Sequence, residues 1–308
     1  MKLRVAVPDL ISPSYFPAIA AVELGFFKRE GLDATIELLF PVTRTYEELR
    51  DGRLDFVAGA AHAPLYAFKN WSGCKLLAAL SQHMYWFLVL RKDLGARRGD
   101  LHAVKGLRIG AAPGPVDGLT RMLVASGIDP QRDVQIGPVP GTAGAGVSFG
   151  VAAAKALEEG KLDGFWANGM GAEMAVRSGT GTLVLDARRG DGPAAAREYT
   201  FAAFVTTQKR IDQEPELVAA AVRALVGAQQ ALKEDPARAT EVGRKLFPAT
   251  EAGLIAELIR RDAPFYDPVI SARSVDALND FSRGLGILTA AATYEQVVAT
   301  QFERFWNE

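Results

Sequence analysis

The residues of this chain able to do chemistry are few and dispersed. Its three histidines, at 62, 83 and 102, and its one cysteine, Cys74, are scattered, without the close pairs that metal-ligand motifs use. A single cysteine also excludes an internal disulfide and any multi-cysteine metal site. The run GLRIGAAPG (106–114) lacks the G-x-G-x-x-G order of a dinucleotide loop, and there is no Walker-type phosphate loop. No serine, that of VSFG included, lies in a nucleophile elbow. These residues point to recognition of a ligand rather than its conversion, with no cofactor and no metal.

Residues suited to recognition occur where apolar runs give way to small and polar residues. PDLISPSYF (8–16) offers Ser12, Ser14 and Tyr15, although Ser14 can equally be a plain helix cap. Residues 40–45 offer Thr43 and Arg44, the latter more often a solvated charge. Residues 58–62 offer Gly59, Ala60 and His62, a lone histidine that can also be a cap or a surface residue. His83 stands beside Gln82, Tyr85 and Trp86, of which alternate members must face a core. APGPVDG (112–118), with Gly114, Pro115 and Val116, opens a helix whose amides suit an anion, or it is only a tight turn. FWANG (165–169) pairs Trp166 with Asn168, suited to stacking and hydrogen bonding, with core packing of the tryptophan as the competitor.

The elements that position these residues alternate strand with helix. LRVAVP (3–8), ATIELLF (34–40), LDFVAGA (54–60) and KLLAAL (75–80) read as strands. Between them lie a helix capped by Ser14, a short helix TYEELRDG (45–52), and a helix from HAPLYAFKN. MYWFLVLRKDL (84–94) is a long apolar strand that leaves this first set. The alternation then restarts with GLRIGAAPG, VDGLTRMLVASG (116–127), DVQIGPVP, VSFGVAAAKALEEG and LDGFWANG. The segment ARRGDGPAAARE (187–198) lacks apolar periodicity and reads as an exposed loop. YTFAAFVTT (199–207) is a second long strand, followed by helices with starts at Asp212, Asp235-Pro236, Thr250 and Ser274. A Thr293–Gln296 capping box opens the last. Alternating strands and helices predict parallel sheets covered on both faces. Two echoes, LRDGRLDF and LEEGKLDG, each place a glycine at a helix end and an aspartate, Asp55 or Asp163, bonding local backbone.

Bulk properties narrow the class. At 308 residues the chain is sized for about two domains. A formal net charge of -1 lacks the basic footprint of a nucleic-acid binder. No stretch approaches a membrane span. The amino terminus meets Pro8 and Asp9 before a signal-like apolar run can build. The expectation is a periplasmic protein if a signal was trimmed from it, and otherwise a cytoplasmic one.

Four stretches carry a family resemblance: AAVELGFFKREGLDATI (20–36), EELRDGRLDFVAG (47–59), VKGLRIGAAPGPVDGLTRMLVASGIDP (104–130) and AAAKALEEGKLDGFWAN (152–168). In order and spacing the sequence resembles the extracytoplasmic solute-binding proteins of ABC transporters in the sulfonate, nitrate, taurine and thiamine-pyrimidine (NMT1/THI5-like) group. The resemblance implies an α/β, two-lobed, type II periplasmic-binding-protein-like fold. Residues 1–88 and 205–308 would form one lobe and 89–204 the other, with two strand crossings as a hinge. It implies a monomer that binds a small solute in the interlobe cleft and delivers it to a membrane permease, with no nucleic-acid partner and no catalysis. The hydroxyls and aromatics above favour a sulfonate or carboxylate with an apolar or aromatic body. Asp9 and Asp117 keep a cationic pyrimidine open. One alternative is a cytoplasmic enzyme on the same fold, related to thiamine-pyrimidine synthesis from histidine and iron, whose cysteine-rich segment this chain lacks. Another is the sensing domain of a regulator.

Overall fold

The computed structural model describes residues 2–142 and 148–307. It divides into two units: residues up to Gln82 with those from Thr200 onward (unit 1), and His83–Tyr199 (unit 2). The strands, in chain order, are β1 (Lys2–Val7), β2 (Asp33–Leu38), β3 (Phe56–Ala60), β4 (Cys74–Ser81) and β5 (Phe87–Arg91). They continue with β6 (Arg108–Ala111), β7 (Gln135–Gly137), β8 (Gly164–Ala167), β9 (Gly181–Asp186) and β10 (Ala202–Thr207). Unit 1 holds a five-stranded sheet in the order β2-β1-β3-β10-β4, and unit 2 one in the order β7-β6-β8-β5-β9. These are one topology used twice, with the fourth place in each sheet filled by the strand next to a unit boundary.

The sheets are mixed, not parallel as the alternation predicts. β1 pairs in parallel with β2 and β3, and β6 with β7 and β8. β10 runs antiparallel to β3 and β4, and β5 antiparallel to β8 and β9. A parallel neighbour requires a crossover within the same sheet. A strand arriving from the other unit needs none, and can run the opposite way. Each of these strands also belongs to one sheet throughout. The units therefore change at 82/83 and 199/200, whereas boundaries at 88/89 and 204/205 would cut β5 and β10.

The two echoes are the same corner built twice. Gly52 (φ 75°) and Gly160 (φ 68°) end their helices in the left-handed region, which glycine enters without a Cβ clash. The next amides close the helix ends: Arg53 N donates to Glu48 O (2.9 Å) and Lys161 N to Ala156 O (2.9 Å). The aspartates do not bond local backbone. Asp55 Oδ2 accepts Arg4 N at 2.7 Å, and Asp163 Oδ2 accepts Arg108 N at 3.0 Å. Their own amides donate back to the Arg4 and Arg108 carbonyls. Each carboxylate thus joins a helix exit to the first strand of its unit's parallel set.

Several helix starts differ from the sequence expectation. The first helix is Phe16–Glu23, with Tyr15 in the capping position and no side-chain cap, so Ser14 does not cap it. The helix expected at 45–52 begins at Val42, not Thr45. Asp212 accepts the Gln208 amide at 2.8 Å instead of capping Pro215–Glu234. Asp235 Oδ1 accepts Ala237 N ahead of the helix Arg238–Leu246. Helices Ala249–Asp262 and Ala272–Gly284 begin before Thr250 and Ser274, the latter capped by Ser271. The residues after His62 form 3₁₀ turns, Ala63–Tyr66 and Lys69–Trp71, rather than an α-helix. Val147, the first residue of the expected helix there, lies outside the described residues, and the helix is Phe149–Glu158. The Thr293–Gln296 capping box is present, on the short helix Tyr294–Val297.

The late helices complete unit 1. Gln229 Nε2 donates to the Ala79 and Leu80 carbonyls (3.0 and 2.9 Å), and Trp306 Nε1 donates to Leu77 O (3.0 Å). Both tie this segment to β4, an apolar strand read as continuous because it is covered on both faces. Inside the sheet, Phe56 of β3 stacks on Phe204 of β10 with ring centroids 4.9 Å apart. No helix among the described residues is long and apolar enough to cross a membrane.

Candidate functional site

In unit 1 the carboxyl end of β1 leads into a buried turn that carries Asp9, Ser12, Ser14 and Tyr15. Asp9 Oδ1 accepts Ile11 N at 2.8 Å, which folds the turn locally. The Ser12 hydroxyl is buried and, among the described residues, has no hydrogen-bond partner. A buried hydroxyl without a partner costs free energy.

The other unit 1 candidates have structural work. Thr43 and Arg44 lie in the first turn of the helix Val42–Arg50, not in a loop. Arg44 is solvated, with its side chain 58% exposed and Glu48 at 3.8 Å. Gly59 and Ala60 are still inside β3. A Cβ on Gly59 would stand 2.7 Å from the Tyr46 hydroxyl, and that hydroxyl donates to Ala60 O at 3.2 Å. The glycine therefore makes room for a buried tyrosine. His62 is fully buried, not a surface residue, and stands in the capping position of the turn Ala63–Tyr66 without a side-chain capping bond. Its Nδ1 lies 3.0 Å from the Thr200 hydroxyl, and Phe281 meets its ring edge-on at 5.2 Å.

In unit 2 the expected anion cradle has few donors. Gly114 (φ 90°) turns the chain into the helix Pro115–Ala125. Pro113 and Pro115 have no amide hydrogen. Val116 N is spent on Ala112 O (2.9 Å) and Asp117 N on Gly114 O (3.1 Å). Trp166 is core: its ring is fully buried and its Nε1 donates to Pro115 O at 2.9 Å. Tyr85, Trp86 and Trp166 form one aromatic cluster, with centroids 4.5 and 6.3 Å apart along it. Asn168 caps the helix Gly169–Arg177 by accepting Met170 N (3.1 Å) and Gly171 N (3.2 Å).

The segment after β9 corrects the sequence reading most. Residues 187–198 are the expected exposed loop only in part: Arg189, Gly190, Gly192, Ala194, Ala195 and Arg197 are exposed, but the segment is anchored and ordered. Ala187, Arg188 and Ala196 are buried, and two 3₁₀ turns, Ala187–Arg189 and Ala194–Glu198, order the segment. The Arg188 side chain is 1% exposed, with its guanidinium carbon 5.8 Å from the Phe87 ring centroid, within cation–π range. Arg121 has a buried Nε without a partner among the described residues and lies close enough to Tyr199 to oppose the upward push that burial gives its phenol. His83 bonds Glu198 and Arg197 of the same segment. Burial lowers the His83 pKa, and Arg197 and Arg188 reinforce this against Glu198.

Unit 2 thus gathers Arg121, Arg188 and Arg197 at residues 187–199, with Arg188 fully buried. A guanidinium presents a planar fork of donors that fits carboxylate or sulfonate oxygens. The sequence signals were indirect: a strand ending in Asp186 and an arginine pair directly after it. Cys74 is buried in β4, and burial pushes its thiol up, away from the nucleophilic thiolate. Among the described residues, no three His, Cys, Asp or Glu side chains gather to hold a metal.

The NMT1/THI5 like family model matches residues 12–239. No curated protein matches the sequence. Solved structures match over nearly the whole chain. The alkanesulfonate-binding protein SsuA of Xanthomonas axonopodis pv. citri, bound to MOPS, is 16% identical, with a TM-score of 0.70 over 98% of this chain and 97% of that one. The periplasmic nitrate-binding protein NrtA of Synechocystis PCC 6803 is also 16% identical, with a TM-score of 0.73 over 98% and 87%. The desulfurization enzyme DSZB is 17% identical, with a TM-score of 0.67 over 99% of each chain. The shared property is the α/β fold of the two-lobed periplasmic binding proteins.

Proposed function

Because the chain belongs to the NMT1/THI5-like family, we propose that it is the solute-binding component of an ABC-type uptake system, working outside the cytoplasm and delivering to a membrane permease. The observation that carries this reading is Arg188, a fully buried guanidinium just past the carboxyl end of β9. Ligands of open α/β sheets bind beyond the carboxyl ends of strands. The solute class that fits is a small organic sulfonate or carboxylate. Its anionic head would take the guanidinium donors of unit 2, Arg188 foremost. The neighbours named for alkanesulfonate and nitrate support an oxoanion as the class of solute.

The test begins with native mass spectrometry of the purified protein, to weigh any solute it retains. Calorimetry follows with alkanesulfonates, MOPS, aromatic carboxylates, nitrate and an aminopyrimidine. Micromolar or tighter binding of a sulfonate or carboxylate is the expected result. Tight binding of the pyrimidine with the anions inert would overturn the solute class. Conversion of any bound compound would overturn the binding-protein reading in favour of an enzyme, as the DSZB neighbour is named.

A further inference from the structure

The chain enters unit 2 at His83 and leaves it at Tyr199, and one imidazole ties these two ends together. His83 Nδ1 lies 3.1–3.2 Å from the Glu198 carboxylate oxygens, and Arg197 Nη2 lies 2.8 Å from His83 Nε2. Beside the ring, Met84 N donates to Arg197 O at 2.9 Å. His83 itself sits at φ 64°, a region sparsely used by residues with a Cβ, so its neighbours hold it in an uncommon conformation.

This geometry fixes the protonation state. A guanidinium has donors only, so Nε2 must accept from Arg197 and carries no proton. Nδ1–H then donates to Glu198. A second proton, on Nε2, would face the Arg197 N–H at 2.8 Å, donor against donor and cation against cation. The charged groups that act on the ring are Glu198, which favours protonation, and Arg197 and Arg188, which oppose it.

We propose that His83 is a pH-responsive clasp between the entry and exit segments of unit 2, and that its opening below neutral pH weakens solute binding. The second clause rests on the solute-binding reading. The sign follows from the environment. Burial, with Arg197 and Arg188, lowers the His83 pKa from 6.5, so the folded ring takes up its proton later than an unfolded one. The stability held in the neutral ring is complete above 6.5 and declines as pH falls from there toward the lowered folded value. Once His83 is charged, the Nδ1–H bond to Glu198 becomes charge-assisted, but the Arg197 bond is replaced by repulsion and the Met84–Arg197 backbone bond beside it loses support.

The experiment uses full-length protein carrying ¹⁵N-histidine, with His83→Gln to assign the resonance. Imidazole spectra across the acid range should show the Nδ1–H tautomer and a titration midpoint below 6.5. Hydrogen exchange at the Met84 amide, corrected for intrinsic rates, should lose roughly tenfold in protection at acid pH in the native sequence and not in His83→Gln. Affinity for butanesulfonate should fall roughly fivefold over the same range, again only in the native sequence. A midpoint at or above 6.5, an Nε2–H tautomer, or pH-independent Met84 protection would each overturn the clasp. If the clasp titrates as described and no member of the sulfonate and carboxylate panel binds, the clasp stands and the solute reading fails.

Discussion

Asp163 holds Arg108 by both its backbone and its side chain: Oδ2 accepts the amide at 3.0 Å and Nε at 2.9 Å, and Oδ1 accepts Nη2 at 2.9 Å. The Arg108 side-chain bonds come first among the causes that hold the carboxyl at about 2 instead of 3.8, against a smaller push from burial. A carboxyl lowered on folding stabilises above its unfolded value and loses that contribution as pH falls toward its folded one. Asp163→Asn should therefore cost about 1–2 kcal/mol at neutral pH, measured by urea unfolding. The gap to the native sequence should close between pH 3.8 and about 2. Equal stability at neutral pH would show that the corner does not depend on this charge.

The Gly59–Tyr46 contact is a packing constraint with a direct genetic test. An alanine at 59 puts its Cβ against the Tyr46 hydroxyl at 2.7 Å and Val42 Cγ2 at 3.0 Å. Gly59→Ala should cost about 1–3 kcal/mol by overpacking. Tyr46→Phe should cost about 1 kcal/mol for the bond to Ala60 O. The double variant should be more stable than the sum by about 0.5 kcal/mol or more, because the hydroxyl is the atom in the way. Strict additivity would place the strain elsewhere.

Arg188 separates binding from folding. Arg188→Lys keeps the charge and loses the planar fork, which is not a conservative exchange at a bidentate site. Affinity for the best sulfonate should fall about 10–100-fold, the scale of charge-assisted bonds of 1.5–3 kcal/mol. The urea midpoint should move little. Unchanged affinity would remove Arg188 from the site.

Cys74 should be inert. It is buried in β4 with its thiol pushed up by burial. Iodoacetamide should label it in urea and not in the native protein, and Cys74→Ala should leave sulfonate affinity unchanged. Native labelling at the rate of a free thiol would reopen thiol chemistry for this chain.

The strand–helix alternation was legible because each element carries its own period: apolar runs at β1 and β4, and glycines at 52 and 160 that close helices before an aspartate. Strand direction was not legible. The residues of β5 and β10 read the same whichever way they lie against their neighbours, and direction is set by where the chain comes from. Helix starts slipped where polar residues had other employment, as with Asp212, which takes the Gln208 amide. Among the site residues, position at a strand end was readable but role was not. Gly59, Trp166 and Asn168 sit at such ends and are engaged in packing, a core bond and a cap. Arg188 was missed because a hydropathy pattern assigns arginine to solvent, and its burial depends on contacts with Phe87, far away in sequence.

The doubled sheet order has a consequence for how the chain is made. Unit 2 is one uninterrupted segment, and its borrowed-position strand β5 comes first within it, so residues 83–199 contain all five strands of their sheet. Unit 1 is different. Its β10 wedges between β3 and β4 but is synthesised only after the whole of unit 2, leaving the facing edges of β3 and β4 without their common partner until then. Unit 1 starts first on the ribosome and finishes last. An isolated 83–199 segment should fold by itself, whereas a chain ending at Gln82 exposes unpaired strand edges of the kind that aggregate. The interruption that makes unit 1 discontinuous also makes completion of unit 2 a step on the way to its own.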